Sequence, residues 1–254
     1  MKNFLIVGTQ RTGSSVLTES IGFHTLVACG WEWTLHVPRS QKLKVAERAL
    51  AGDFSVLSQP DRAHMAEVWN IKKTWLGFRR LFRASDKWLI HPRFSPALWS
   101  DRLEDHLHWL AERPDIYIIH IVRRDGLDWL KSKFLARASG LYVGKPYPEG
   151  LRVTIPLREA VFRLRAKEWV DYRLASLSSQ CPYVRIDYED FLADQDAVVT
   201  ETLRFLQCDP NVMPVERRRQ KQSRSSVADY VANYDELVTE LERHELLWVR
   251  FDQY

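Results

Sequence analysis

Phe4-Leu5-Ile6-Val7-Gly8-Thr9-Gln10-Arg11-Thr12-Gly13-Ser14-Ser15-Val16-Leu17 is the stretch whose pattern decides the fold. Phe4 to Val7 is a short apolar run of strand formers closed by Gly8, which predicts a buried strand of a parallel sheet. A loop from Thr9 to Gly13 follows. From Ser14 onward Val16, Leu17 and Ile21 recur with helical spacing, with Ser14 as the start and Gly22 as the stop. The chain therefore opens as strand, glycine loop and helix.

Gly8 and Gly13 have the spacing of a Walker-type phosphate loop, in which backbone N–H groups and a helix N-terminus cradle an anion. The Lys that should follow the second glycine is replaced by Ser14, and the nearest cation is Arg11. A glycine loop after a first strand is also an ordinary tight turn, so the hydroxyl cluster Thr12, Ser14 and Ser15 is what favours a ligand here.

Outward from this stretch, further strands are expected at Leu26 to Cys29, Trp88 to Ile90, Ile116 to Val122 and Tyr183 to Asp187. Helical spacing recurs near 41–51, 101–111, 126–138, 157–178, 195–206 and 235–244. The alternation predicts an α/β fold: a P-loop-like, doubly wound parallel sheet flanked by helices on both faces, with ligands at the carboxyl ends of the strands. A single domain over 1–254 is expected, interrupted near 53–86 and 139–156 by segments suited to an acceptor pocket. The first of these carries Trp69, Trp75, Phe78 and Phe82, aromatic residues that serve equally well as core.

Composition narrows the class. With 254 residues, 45% hydrophobic, 28% charged and 12% aromatic, the chain fits a globular protein and neither a disordered, fibrous nor disulfide-stapled one. The longest apolar runs fall far short of the roughly 20 residues of a membrane span. The N-terminus lacks the apolar core of a signal peptide, and a cytoplasmic location is expected. Cys29, Cys181 and Cys208 are too few and too widely spaced for a zinc site or a disulfide framework and read as reduced and structural. A net charge of +4 without a long basic stripe suits a small anionic ligand better than nucleic acid. Homodimerisation is compatible with the sequence and not measured by it.

With these residues in view, Gly8 to Leu17 resembles the 5′-phosphosulfate loop of sulfotransferases that use 3′-phosphoadenosine 5′-phosphosulfate (PAPS), with Arg11 in the basic place. Ile118 to Lys133 resembles the same family's 3′-phosphate motif, an Arg at a strand end and a Ser eight residues on, filled here by Arg124 and Ser132. Arg185 to Leu192 is similar to the family's strand ending in Tyr-Glu-Asp, which implies that Tyr188 lies against the adenine. The basic loop Arg217 to Arg224 looks like the closing segment of bacterial relatives, which implies Arg219 and Lys221 at the 3′-phosphate, although a solvated charge run reads as well. The animal-type Arg-Lys-Gly closing motif is absent, so the likeness is to the bacterial branch acting on carbohydrates or small molecules.

The resemblance implies transfer of a sulfuryl group from PAPS, without a metal, to a hydroxyl of a glycan, lipid or small molecule. Arg11, Thr12, Gly13, Ser14 and Ser15 would hold the 5′-phosphosulfate, with Arg11 also stabilising the leaving oxygen. The acceptor alcohol needs a base. Glu32, just past the second strand and beside the first loop, is the first choice, and the similar position in bacterial relatives holds a Glu. Its neighbours Trp31 and Trp33 would raise its pKa by desolvation if they are not simply core. His36 is the second choice, and His91 and Glu19 remain candidates. Two other functions stay open: a degenerate P-loop kinase or nucleoside triphosphatase, against which Ser14 counts, and a non-catalytic nucleotide- or carbohydrate-binding module.

Overall fold

A computed structural model describes residues 2–22, 24, 27–30, 42–51, 53–56, 75–79, 96–142, 146–212 and 226–249. Five strands form one wholly parallel sheet: β1 (Lys2–Val7), β2 (Val27–Gly30), β3 (Trp75–Arg79), β4 (Ile116–Val122) and β5 (Tyr183–Asp187), in the order β2-β3-β1-β4-β5. The helices are α1 (Ser14–Gly22), α2 (Lys42–Leu50), α3 (Pro96–Ala111), α4 (Gly126–Ser139), α5 (Leu157–Ala175), α6 (Tyr188–Ala193), α7 (Gln195–Phe205), α8 (Val227–Tyr230) and α9 (Tyr234–Arg243). The expected α/β architecture is therefore present, and the strand order is that of a doubly wound sheet.

Period-two alternation builds two cores. Leu5 and Val7 of β1 and Ile116 and Ile118 of β4 bury on one face, with Leu50, Leu110, Val170 and Leu174. Phe4 and Ile6 with Ile119 and Ile121 bury on the other, against Leu17 and Ile21 of α1 and Leu203 of α7. Both faces being covered explains why β1 reads as a continuous apolar run. A third cluster joins α4 and α5 to α9 through Trp129, Leu130, Leu164, Leu237 and Leu241. Cys181 and Cys208 are buried in the first two cores. Among the described residues no helix is long and apolar enough to cross a membrane.

One strand differs from expectation. β3 lies between β1 and β2 in the middle of the sheet, within a segment whose aromatic residues suggested a pocket wall. Trp-Leu-Gly-Phe-Arg has neither the β-branched residues nor the unbroken apolar run that marked β1 and β4, so the periodicity rule passes over it. The strand expected at Trp88 to Ile90 lies outside the described residues. β3 also separates β2 from β1, so the carboxyl end of β2 is not the immediate neighbour of the glycine loop.

His120 of β4 is fully buried and meets a polar cluster on the first core face. Its Nδ1 lies 2.8 Å from the Tyr183 hydroxyl and its Nε2 3.5 Å from Asp171 Oδ1, while Lys167 Nζ is 2.5 Å from Asp171 Oδ2. Burial alone would raise the Asp171 carboxyl, but Lys167 and His120 outweigh it and hold the pKa below the usual 3.8. A carboxylate lowered in this way stabilises the fold above its unfolded pKa, and that stability is lost as pH falls through the folded value. Asp171→Asn leaves the Lys167 charge buried without its partner, and a loss of about 3–5 kcal/mol in urea denaturation at neutral pH is expected. The variant should also lose part of the wild-type decline in stability that begins below about pH 4.

Candidate functional site

The strand order changes direction at β1: β3 flanks it on one side and β4 on the other. In open α/β sheets ligands bind outside the carboxyl ends of the strands at such a switch point. Val7 stands opposite His120, so the loop after β1 and the turn after β4 leave the sheet side by side. Both phosphate-type motifs singled out in the sequence are therefore brought to one place.

The loop after β1 has a left-handed backbone at Arg11, φ 67°, and positive φ at Gly8 and Gly13. A Cβ on Gly8 would fall well inside contact with the Ile121 carbonyl oxygen, and one on Gly13 would lie 2.6 Å from the Tyr188 ring. Both glycines are required by close approach as well as by conformation. Three successive carbonyls of the loop accept side-chain donors: Thr9 from Thr12 Oγ1 at 2.9 Å, Gln10 from Trp129 Nε1 at 2.7 Å and Arg11 from Arg123 Nη1 at 2.8 Å. Thr12 and Ser14 side chains are buried, so Thr12 offers a ligand its amide rather than its committed hydroxyl. Gly13's carbonyl accepts from Val16 and Leu17 and begins α1, whose first turn contains no acidic residue. A positive helix end is thus left uncompensated by a local carboxylate.

Arg11 reaches across to α4 and the segment after it. Its Nε donates to Ser132 Oγ at 2.9 Å, its Nη2 to the Tyr147 hydroxyl at 2.9 Å, and its Nη1 to the Tyr142 carbonyl. Burial lowers the Arg11 pKa below that of a free guanidinium, and the neighbouring Arg123 adds to that effect. A cation held in such surroundings gains from an anionic neighbour.

Arg124 is paired differently. Its Nε lies 3.2 Å from Asp187 Oδ2, its guanidinium carbon lies 5.6 Å from the centre of the exposed Trp248 ring, and its side chain is 41% exposed. The turn that carries it is fixed by Glu189, whose carboxylate accepts from the Arg124 and Asp125 amides at 3.1 and 3.0 Å. Asp125 caps α4 by accepting from the Asp128 amide at 2.8 Å, and burial pushes its carboxyl up. The chain near Trp248 closes over the same turn, Val249 donating to the Arg124 carbonyl at 2.9 Å.

Sequence reasoning missed Arg123, Asp128 and Trp129 as supports of the loop. Arg123 is buried, pairs with Asp128, and lies 4.5 Å over the Tyr188 ring, while Asp128 also pairs with buried Lys131. The adjacency Arg123-Arg124 carried no sign that one arginine faces inward and the other outward. Tyr188, expected against adenine, is buried beneath the loop, its ring between Gly13 and Arg123. Ser15 and Glu19 are half-buried on α1. Glu32, His36, His91, Arg219, Lys221, Trp31, Trp33 and Trp69 lie outside the described residues.

Gly13→Ala is expected to force the loop away from Tyr188 and to strain φ 82°, lowering stability by about 1–3 kcal/mol. Thermal denaturation of this variant beside Gly140→Ala, whose added Cβ meets nothing within 4 Å, isolates the steric part.

No curated protein matches the chain in sequence at a significant level. Solved structures that resemble it include a sulfotransferase from Alicyclobacillus acidocaldarius, 16% identical over 97% of this chain and 95% of that one, TM-score 0.45. Another is the sulfotransferase domain of the Synechococcus PCC 7002 olefin synthase, 15% identical over 92% and 82% of the two chains, TM-score 0.43. A third is retinol dehydratase in complex with androsterone and inactive cofactor PAP, 12% identical over 95% and 78%, TM-score 0.44. The model of the sulfotransferase family matches residues 3–211, which span β1 through α7 and contain both strand-tip loops. This chain belongs to the sulfotransferase family.

Proposed function

We propose that this protein transfers a sulfuryl group from PAPS to the hydroxyl of a small molecule, glycan or lipid. The observation that carries the reading is the 2.9 Å hydrogen bond from Arg11 Nε to Ser132 Oγ, which joins the two motifs expected to hold the two ends of one nucleotide. The donor set suits such a ligand: a glycine loop with a left-handed turn, a helix end without a local carboxylate, and two arginines at neighbouring strand tips.

PAPS supplies an activated sulfuryl group, whose sulfur–oxygen bond to the 5′-phosphate breaks as the acceptor oxygen bonds to sulfur. For their part, Arg11 and the amides of Thr12 to Ser15 balance the charge left on the 5′-phosphate, including that of Gly13. Arg124 and Ser132 hold the 3′-phosphate, with Arg219 and Lys221 covering it and Tyr188 supporting the adenine side. Glu32 takes the acceptor's proton, His36 being the alternative base. The reaction then rests on positioning and charge stabilisation. The chain acts as one domain, with segments near 53–86 and 139–156 bordering the acceptor.

Calorimetry with adenosine 3′,5′-bisphosphate in the absence of Mg²⁺ should show roughly micromolar binding, weakened about tenfold or more by Arg124→Ala. Absence of binding, or binding only of ATP with Mg²⁺, rejects the proposal. Glu32→Gln should keep nucleotide affinity and abolish release of the bisphosphate from PAPS across a panel of hydroxyl acceptors. Retained turnover removes Glu32 from the role of base.

A further inference from the structure

Pro146-Tyr147-Pro148-Glu149-Gly150 is an exposed surface stretch with one buried side chain, Tyr147, which is 8% exposed. Proline on either side restricts the backbone at and around that residue, so the ring is carried on a stiff support. It enters the core formed by α4, α5 and α9, and meets the Tyr230 ring edge-on with centroids 6.5 Å apart. Its hydroxyl accepts from Arg11 Nη2 at 2.9 Å and donates to the Ser132 carbonyl at 3.3 Å. Ser132 Oγ in turn accepts from Arg11 Nε. The three residues therefore close a ring of hydrogen bonds, and the Nε–Nη2 edge of the Arg11 guanidinium is fixed by groups anchored on α4. Nη1 is held by the Tyr142 carbonyl, so each guanidinium nitrogen has an acceptor in the protein, and the Tyr147 hydroxyl is the one that ties Nη2 to the Ser132 carbonyl of α4.

We propose that Tyr147 is a positioning residue for Arg11: its hydroxyl fixes the Nη2 end of the guanidinium that meets the 5′-phosphate end of the nucleotide. This rests on the nucleotide reading given above. Tyr147 acts through Arg11 and does not itself contact the ligand. An aromatic ring wedged by prolines in a long surface loop thus has a task at the neighbouring loop, beyond bordering the acceptor.

The test compares two probes by calorimetry, adenosine 3′,5′-bisphosphate and adenosine 3′-monophosphate, which lacks the 5′-phosphate. In Tyr147→Phe the bisphosphate should bind about tenfold more weakly while the monophosphate stays within about twofold of wild type, a split that general loosening of the fold would not give. In an Arg11→Ala background Tyr147→Phe should have no further effect on the bisphosphate. Unchanged or tightened bisphosphate affinity in Tyr147→Phe overturns the proposal, as does an equal loss for both probes. An effect that persists in the Arg11→Ala background also overturns it, because Tyr147 would then touch the ligand directly. Failure of wild type to bind the bisphosphate at all rejects the nucleotide reading, and this proposal with it. Should Tyr147→Phe fold poorly, Arg11→Lys supplies the second variant: it keeps the charge, removes the fork, and should show the same split between the probes.

Discussion

The parallel pairing of β1 with β4 is the constraint on which the rest depends. It sets Val7 opposite His120 and Gly8 against Ile121, so the backbone leaving β1 runs past the end of β4 with no room for a side chain. From that contact follow the turn of the loop toward α4, the reach of Arg11 to Ser132, and the entry of Arg123 and Trp129 beneath the loop. Sheet hydrogen bonds are insensitive to side-chain identity, so the register supplies a fixed platform while the loops carry the chemistry.

Around that platform the protein buries paired charges. Arg123, Asp128 and Lys131 form one buried chain of ion pairs, and Glu189 accepts from the two amides that follow β4. Burying ions is costly unless each is paired, and this pairing commits Arg123 to structure while Arg124, one residue on, stays 41% exposed. The carbonyls of Thr9, Gln10 and Arg11 are likewise committed to donors inside the protein. Both arrangements spend polar groups of the scaffold on holding one loop in a left-handed turn.

Legibility in the sequence followed the strength of local signals. β1 and β4 announced themselves because parallel strands covered on both faces need long apolar runs, and the helices because their buried residues recur every three or four positions. β3 did not, since Trp75 to Arg79 contains a glycine and ends on a cation, and its place in the sheet comes from backbone pairing with β1 and β2. Among the candidate site residues, Arg11, Gly13, Arg124 and Ser132 were legible as motif positions. The inward turn of Arg123, the burial of Tyr188 under the loop and the anchoring of Tyr147 were not.

What the sequence by itself determined is the α/β class, the strand-loop-helix opening and the two phosphate-type motifs, because each is written in residues close together along the chain. Only the tertiary structure decided the strand order, which arginine is buried, and that a tyrosine 136 residues from Arg11 shares its hydrogen bonds. Those features arise from contacts between segments far apart in sequence. Local propensity and spacing do not encode such contacts, because it is the packing of the whole sheet and its helices that selects them.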